Sequence, residues 1–236
     1  MNVILTTCKG RSEHLRPALQ SWLDFMPGWS PVVVAVDDPR AQAITREICA
    51  RREYALVCMS QNGFSRLGAL SAGVDDLPPD TESVAILDAD CVMLLHSRHW
   101  FIGDWSDAFR IVEPEANGSF CRDDFGDLLT HANVLRTAYD LLGDISDWVG
   151  YGWEDVLLRC ACWVVTEGHV KRAPARWAHI PHTDELRRDA SPGHESLRNQ
   201  ASVNYSRLMA ALHGLEQYLG RPWRETSILD DCRSWA

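Results

Sequence analysis

The chain has 236 residues, of which 46% are hydrophobic, and a formal net charge of -10 at pH 7. This size and composition allow a sizeable core and fit within one α/β domain. The acidic balance argues against a nucleic-acid surface as the general partner, because contacts with phosphate groups need a basic face.

The sequence also indicates in which cellular compartment the protein resides. It opens on a short apolar run with no basic region and no cleavage site, so we expect no signal peptide. It contains no stretch of roughly 18 apolar residues, so we expect no membrane span. The eight cysteines form no CxxC pair and no regular framework, which is typical of reduced thiols in the cytosol. We therefore expect a cytoplasmic protein.

Strand and helix patterns alternate over the first part of the chain. Helical spacing, with Ser12 as a plausible N-cap of the first helix, predicts helices over Ser12–Phe25, Ala41–Arg52 and Arg66–Val74. Apolar runs predict strands over Asn2–Thr7, Pro31–Val36, Tyr54–Met59 and Ser83–Leu87. Strands that are apolar throughout and separated by helices indicate a parallel sheet covered on both faces.

The rest of the chain is less regular. Pro114–Asp127 is rich in Glu, Asp and Gly and predicts a loop or hairpin, and Arg172–Pro192 predicts irregular structure. Helical patterns cover Asn133–Leu142, Glu154–Val164 and Leu197–Leu219. The chain as a whole therefore predicts one α/β domain with a helical C-terminal extension.

An acid pair, Asp88-Ala89-Asp90, directly follows the fourth predicted strand. Ligands bind at the carboxyl ends of the strands in open α/β sheets, and Asp37-Asp38 ends another strand of the same set. Carboxylate oxygens suit Mg2+ and Mn2+, and such an ion stabilises a diphosphate leaving group. Polar strand ends are common in α/β proteins, so the pair alone does not define a site.

The segment Gly150–Asp155 reads Gly-Tyr-Gly-Trp-Glu-Asp at the start of a predicted helix. Its glycines allow close approach of a ligand to the backbone, and Tyr151 and Trp153 offer flat faces on which a sugar could stack. An acid in the first helical turn tends to stay ionised, as a general base requires. Alternatively, Glu154 and Asp155 are ordinary acids of a helix N-terminus.

Two further segments could bind a metal or a nucleotide. His179 and His182 flank Pro181 in an extended stretch, where two imidazoles could hold one ion or simply lie on the surface. Lys9 and Arg11, on either side of a glycine after the first strand, could contact a diphosphate or ribose. The helix that begins near Arg66 could point its N-terminus at the same site, or that arginine could be solvated.

The order of these segments resembles that of the GT-A glycosyltransferases, specifically the bacterial family 2 enzymes and the β-1,4-galactosyltransferase-type family. The matching segments, in family order, are Thr7–Leu15, Asp37–Asp38, Arg66–Gly73, Ile86–Asp90 and Gly150–Asp155. This resemblance implies a GT-A (Rossmann-like), mostly parallel central sheet flanked by helices. It also implies metal-dependent transfer from a nucleotide diphosphate-sugar, UDP-linked, to an acceptor hydroxyl.

The same resemblance implies roles for individual residues. The donor-binding residues it implies are Thr7, Cys8, Lys9, Arg11, Asp37, Asp38, Arg66, Asp88 and Ala89. The helix that starts at Arg66 departs from the family pattern, because Leu67 and Gly68 stand where the family has an Asn. The metal ligands it implies for Mn2+ or Mg2+ are Asp90, His179 and His182. A His replaces the usual Met of that pair, which could loosen the preference for Mn2+.

The resemblance places the chemistry of an inverting enzyme on the Glu-Asp pair. Asp155 takes the position of the catalytic base, and Glu154 that of the acid that binds the acceptor. Tyr151, Gly152 and Trp153 complete the implied acceptor site. Trp153 replaces a family glycine, which could narrow that site.

The implied organisation is a donor-binding half over residues 1–95, an acceptor-binding and catalytic half over 96–196, and a helical extension over 197–236. The acceptor stays open between a glycan, a lipid-linked intermediate, a metabolite, a protein and a modified DNA base, and so does the oligomeric state. Two rival functions are a nucleotidyltransferase of similar sheet type and a non-catalytic nucleotide-sugar-binding module. The first would need a glycine-rich loop for a triphosphate, of which Lys9-Gly10-Arg11 is a poor version.

Overall fold

The structure is a computed structural model. It describes residues 1–50, 55–61, 63–93, 109–113, 128–146, 148–150, 152–167, 170–174, 177–180 and 197–220. Within these ranges, residues 109–113, 170–174, 177–179 and 197–198 are described by their backbone.

Strands and helices alternate along the first part of the chain. The order is β1 (Asn2–Cys8), α1 (Ser12–Phe25), β2 (Trp29–Val36), α2 (Pro39–Ile48), β3 (Leu56–Met59), α3 (Arg66–Asp75) and β4 (Ser83–Ile86). The later elements are β5 (Cys91–Met93), β6 (Phe109–Glu113), β7 (Leu128–His131), α4 (Ala132–Leu142), α5 (Glu154–Val165), β8 (Val170–Pro174), β9 (Trp177–His179) and α6 (Leu197–Leu219).

The described strands form one large sheet and one small one. The large sheet has the order β3-β2-β1-β4-β7-β6-β8. Its β3-β2-β1-β4 portion is parallel, β7 runs antiparallel to both β4 and β6, and β8 is parallel to β6. The small sheet pairs β5 with β9 in antiparallel register. The central sheet is therefore mostly parallel.

The large sheet is covered by helices on both faces. Val32 and Val34 of β2 belong to the core that contains α3, α4, α5 and α6. Val33 and Ala35, which point the other way, belong to the core that contains α1 and α2. All four side chains are buried, which explains why β2 reads as a continuous apolar run instead of an alternating one. The predicted fold class is confirmed.

The predicted N-cap of α1 and both predicted ends of α2 are wrong. Arg11, not Ser12, precedes α1, and no side chain caps that helix. Helix α2 begins at Pro39 because the Asp38 carboxylate accepts a hydrogen bond from the Ala41 N–H group (2.9 Å). It ends at Ile48 instead of Arg52.

The prediction of irregular structure over Arg172–Pro192 is wrong in part. Strands β8 and β9 occupy Val170–Pro174 and Trp177–His179, and both are too short to show a period in the sequence. The predicted loop or hairpin over Pro114–Asp127 lies outside the described residues.

Helix α6 packs into the same core as the strands. Its buried residues Leu208, Leu212 and Leu215 cluster with Val3 and Leu5 of β1. The division into residues 1–95, 96–196 and 197–236 stays a prediction. Within the described part of the chain, no helix is both long and apolar enough to cross a membrane.

Candidate functional site

The carboxyl ends of the parallel strands meet along one edge of the sheet. In the register of the strands, Cys8 of β1 lies opposite Ala35 of β2, and Val36 of β2 lies opposite Met59 of β3. On the other side of β1, Leu5 lies opposite Ile86 of β4. The loops that follow these strands are therefore neighbours, as in other parallel sheets that bind ligands at this edge.

Asp90 is joined to the loop after β1. Its side chain is fully buried, and its Oδ2 lies 2.7 Å from Nη1 of Arg11, whose side chain is 20% exposed. A buried carboxylate is costly unless it is paired and hydrogen-bonded. This pair therefore brings a predicted metal ligand and a predicted donor-binding arginine together.

Asp88 forms a second pair of the same kind. Its Oδ1 lies 2.6 Å from Nη2 of Arg66, the first residue of α3. The Ser65 hydroxyl caps this helix by accepting from the Gly68 N–H group (3.0 Å). A Cβ atom at position 68 would lie 3.1 Å from that hydroxyl, so the cap favours a glycine there.

Asp38 has a structural role in the described contacts. Its Oδ1 caps α2, and its Oδ2 accepts from the Gly10 N–H group (2.9 Å) and faces the Cys8 thiol (3.8 Å). Burial, reinforced by the Asp38 carboxylate, raises the pKa of Cys8 to about 12. The thiol therefore stays protonated near neutral pH. A direct donor contact by Asp38 stays a prediction.

Asp37 faces outward at the same edge. Its backbone is left-handed (φ 47°), and its carboxylate accepts from the Ser60 hydroxyl (2.6 Å) and the Gln61 N–H group (3.1 Å). Lys9 Nζ lies 3.5 Å away. The Ser60 and Gln61 hydrogen bonds, with Lys9 adding to them, hold the pKa of Asp37 below its usual range. Asp37 therefore offers an exposed, ionised hydrogen-bond acceptor at the sheet edge.

The segment Gly150–Asp155 lies next to α3. Gly150 (φ 88°), Gly152 (φ 104°) and Trp153 (φ 69°) are all left-handed. The Gly150 N–H group donates to the carbonyl oxygen of Phe64 (2.9 Å), just before Arg66. The predicted acceptor segment is thus tied to the loop that positions the Asp88–Arg66 pair. Tyr151 lies outside the described residues.

The pKa of Glu154 depends on charged groups at the start of α5 and on the Asp88–Arg66 pair. Burial is the main cause that raises the pKa of Glu154 to about 7, and the Asp155 and Asp88 carboxylates raise it further, whereas Arg66 lowers it. Its Oε2 atom is buried and has no hydrogen-bond partner among the described residues. Near neutral pH this carboxyl can therefore either donate a hydrogen bond to a bound hydroxyl or accept one.

Asp155 lies on the first turn of α5 and is 22% exposed. One turn further along, the 2%-exposed side chain of Arg159 places its Nη2 atom 3.7 Å from Asp155 Oδ2. This contact fixes the direction of the Asp155 carboxylate. The sequence interpretation missed Arg159, although its (i, i+4) spacing from an acid was a usable signal.

Asp90 lies next to the backbone of a second predicted metal ligand, His179. His179 is the register partner of Cys91 in the β5–β9 pair, and the Ile180 N–H group donates to the carbonyl oxygen of Asp90 (2.8 Å). The backbone of His179 thus lies beside the acid pair. The side chain of His179 and all of His182 lie outside the described residues, among which no group of three His, Cys, Asp or Glu could hold a metal. Carboxylate oxygens suit Mn2+ or Mg2+, and the assignment of Asp90, His179 and His182 as ligands stays a prediction.

Comparisons with known proteins bear on the fold. No protein-family model matches the chain, and no curated protein matches its sequence significantly. Glucosyl-3-phosphoglycerate synthase from Mycobacterium tuberculosis, solved with Mn2+, UDP and glucosyl-3-phosphoglycerate, is similar in structure with a TM-score of 0.55 at 11% identity. That match covers 94% of this chain and 81% of the synthase.

Two other solved structures are similar to the same degree. Drosophila β1,4-galactosyltransferase 7, as a mutant with manganese, UDP-Gal and xylobiose, has a TM-score of 0.51 at 14% identity over 79% of this chain and 73% of its own. The inositol-1-phosphate CTP transferase from T. maritima has a TM-score of 0.54 at 10% identity over 89% of this chain and 94% of its own. The chain therefore has the α/β fold that GT-A glycosyltransferases and nucleotidyltransferases share.

Proposed function

We propose that this protein is a metal-dependent, inverting glycosyltransferase that moves a sugar from a UDP-sugar to an acceptor hydroxyl. One observation carries the proposal. The hydrogen bond from the Gly150 N–H group to the Phe64 carbonyl oxygen (2.9 Å) ties the segment that carries Glu154 and Asp155 to the loop before Arg66, which pairs with Asp88 at the strand end. Asp88 and Arg66 both act on the pKa of Glu154, as expected for groups of one site. Acids on a donor-side strand end and acids on an acceptor-side helix are what sugar transfer between two substrates needs.

The similar structures support the donor and the ion. The mycobacterial synthase was solved with Mn2+ and UDP, and the Drosophila enzyme with manganese and UDP-Gal. In the proposal, Asp90, His179 and His182 hold Mn2+ or Mg2+. A bound divalent ion supplies positive charge that stabilises the departing diphosphate.

The chain's own residues then bind the donor across the strand ends. Arg11 and Arg66 lie beside the acid pair and add positive charge next to the diphosphate. Asp37 accepts a hydrogen bond from the ribose, and Asp88 contacts the ribose or the donor sugar. The backbone around Thr7 and Cys8, which Asp38 fixes through Gly10, receives the nucleotide. Residues 1–95 are therefore the proposed donor half.

The acceptor is bound and activated at the start of α5. Glu154 hydrogen-bonds the acceptor, and the Asp155 carboxylate takes the proton of the attacking hydroxyl. The acceptor oxygen attacks the anomeric carbon from the face opposite the diphosphate, so the configuration at that carbon inverts. Arg159 is a positioning residue, because it acts through its contact with Asp155.

The products of turnover test this function. The chain is incubated with Mn2+ and either a set of UDP-sugars and candidate hydroxyl acceptors, or CTP and candidate sugar phosphates or polyol phosphates. The proposal predicts UDP and a glycoside from a UDP-sugar. Release of pyrophosphate from CTP would instead establish a nucleotidyltransferase. Binding of UDP-sugars without turnover of any substrate would establish a non-catalytic module.

A further inference from the structure

Trp153 adopts a backbone conformation that a tryptophan rarely takes. Its φ of 69° lies in the left-handed region, which costs a residue with a Cβ about 1 kcal/mol or more. Such strain persists only where the surroundings hold it, and it concentrates at functional sites. The residue that follows is Glu154, which the proposed function assigns to the acceptor.

Helix α6 holds the strained segment in place. A Cβ atom at Gly150 would lie 2.8 Å from Gln200 Oε1, and one at Gly152 would lie 3.3 Å from the Ala201 Cα. The fully buried Asn204 donates from Nδ2 to the carbonyl oxygen of Val149 (3.4 Å). The segment therefore rests directly on the first turns of this helix, which borders the proposed acceptor site.

The same helix presents a second aromatic ring to Trp153. The ring centroids of Trp153 and Tyr205 are 5.2 Å apart, and their planes are inclined by 58°. Tyr205 is nevertheless 47% exposed, so much of its ring is open to a ligand. Met209, one helical turn or about 6 Å further on, is 46% exposed. These three side chains form an apolar strip that begins at the proposed acceptor acids.

We infer that this strip, made of Trp153, Tyr205 and Met209, is the acceptor subsite and that its occupant is a saccharide. A pyranose ring has an apolar C–H face that packs on aromatic rings and hydroxyl groups that hydrogen-bond to carboxyl groups, so it matches both parts of the site. The acids Glu154 and Asp155 beside the strip disfavour an anionic acceptor. The length of the strip suits a disaccharide or an aryl glycoside better than a single ring. This inference rests on the proposed glycosyltransferase function.

The test compares transfer with donor hydrolysis in three variants. The probes are p-nitrophenyl glycosides and disaccharides as acceptors, with the UDP-sugar that the wild type hydrolyses. Y205A should raise the acceptor KM and lower the ratio of transfer to donor hydrolysis by about tenfold, and Y205F, which keeps the ring, should restore both. Y218A is the matched control, because Tyr218 lies on the same helix and is 56% exposed. It should behave as the wild type.

Different results would overturn different claims. If Y205A has the wild-type ratio of transfer to hydrolysis, or if a wild type that hydrolyses the donor transfers to none of the glycosides, the subsite assignment is wrong and the proposed function stands. If the wild type neither hydrolyses nor transfers from any UDP-sugar, the proposed function fails and the inference fails with it. Thermal melts of all three variants show whether each is folded, as expected for changes at exposed positions.

Discussion

At the scale of single residues, the side chain of Asp155 is 22% exposed and its carboxylate contacts the buried Arg159. Asp155→Asn keeps the shape of this side chain and removes its basicity. We expect kcat for transfer to fall by about 100-fold or more, while the dissociation constant of the UDP-sugar, measured by calorimetry, stays near that of the wild type.

The control for this change is Asp144→Asn. Asp144 is an exposed acid whose carboxylate accepts from the Ser146 N–H group (2.9 Å), and its replacement should leave transfer intact. Near wild-type turnover in Asp155→Asn would show that another group is the base.

Glu154 gives a prediction about pH. Its pKa is raised from 4.5 to about 7 in the folded protein, so the folded state binds this proton more tightly than the unfolded chain does. The resulting stability is present below pH 4.5 and is lost as the pH rises through about 7. The side chain of Glu154→Gln cannot ionise, so this variant does not lose stability in this way as the pH rises.

We therefore expect the stability of Glu154→Gln, relative to the wild type, to increase between pH 5 and pH 8 by about 2 to 3 kcal/mol. Chemical denaturation of both proteins at the two pH values measures this difference. A difference that is the same at both pH values would mean that Glu154 titrates normally.

At the scale of elements, α3 lies very close to the central sheet. A Cβ atom at Gly73 would lie 2.6 Å from Leu5 Cδ1 and 2.7 Å from Val34 Cγ2. Both neighbours are completely buried in the core, so neither can move away cheaply. We expect Gly73→Ala to lower the free energy of unfolding by about 1 to 3 kcal/mol.

Gly214 on α6 is the matched control, because a Cβ atom there meets nothing within 4 Å. Gly214→Ala should gain up to about 1 kcal/mol from helix propensity. Urea denaturation of both variants measures the contrast. If Gly73→Ala were as stable as Gly214→Ala, α3 would not pack as closely on the sheet as described.

The sequence predicted well those elements that a short run of neighbouring residues is enough to identify. The parallel strands β1 to β4 are continuous apolar runs, and their polar ends follow immediately, so the clustering of Asp37 and Asp88 at one sheet edge could be inferred. Strands β6 to β9 have at most five residues each, which is too short for a period to be seen. The capping role of Asp38 was missed because the helix it caps starts earlier than its apolar spacing indicates.

The contacts that the sequence could not predict join distant segments. The sequence around Trp153 gives no sign that Tyr205 packs against it. The α6 segment predicts a long helix, but its hydrophobic periodicity is weak and does not show which face is buried. The Asp90–Arg11 and Asp88–Arg66 pairs likewise depend on which loops the sheet order places side by side. Arg11, Arg66 and Asp88 were expected to bind the donor and Asp90 was expected to bind the metal. Which acid meets which arginine required the structure.

At the scale of the whole molecule, the net charge of -10 repels an anionic donor, whereas Arg11 and Arg66 concentrate positive charge at the strand ends. A donor that carries a diphosphate needs more positive charge than these two arginines, which are already paired with Asp90 and Asp88. The requirement for a divalent ion is therefore the central claim of the proposed function.

The most direct measurement is UDP release from UDP-sugars by the wild-type chain, first with a chelator and then after Mn2+ or Mg2+ is added back. We predict that release stops with the chelator and returns with the ion, and that Asp90→Asn does not recover. UDP release that continues undiminished in the chelator would contradict the roles given to Asp90, His179 and His182.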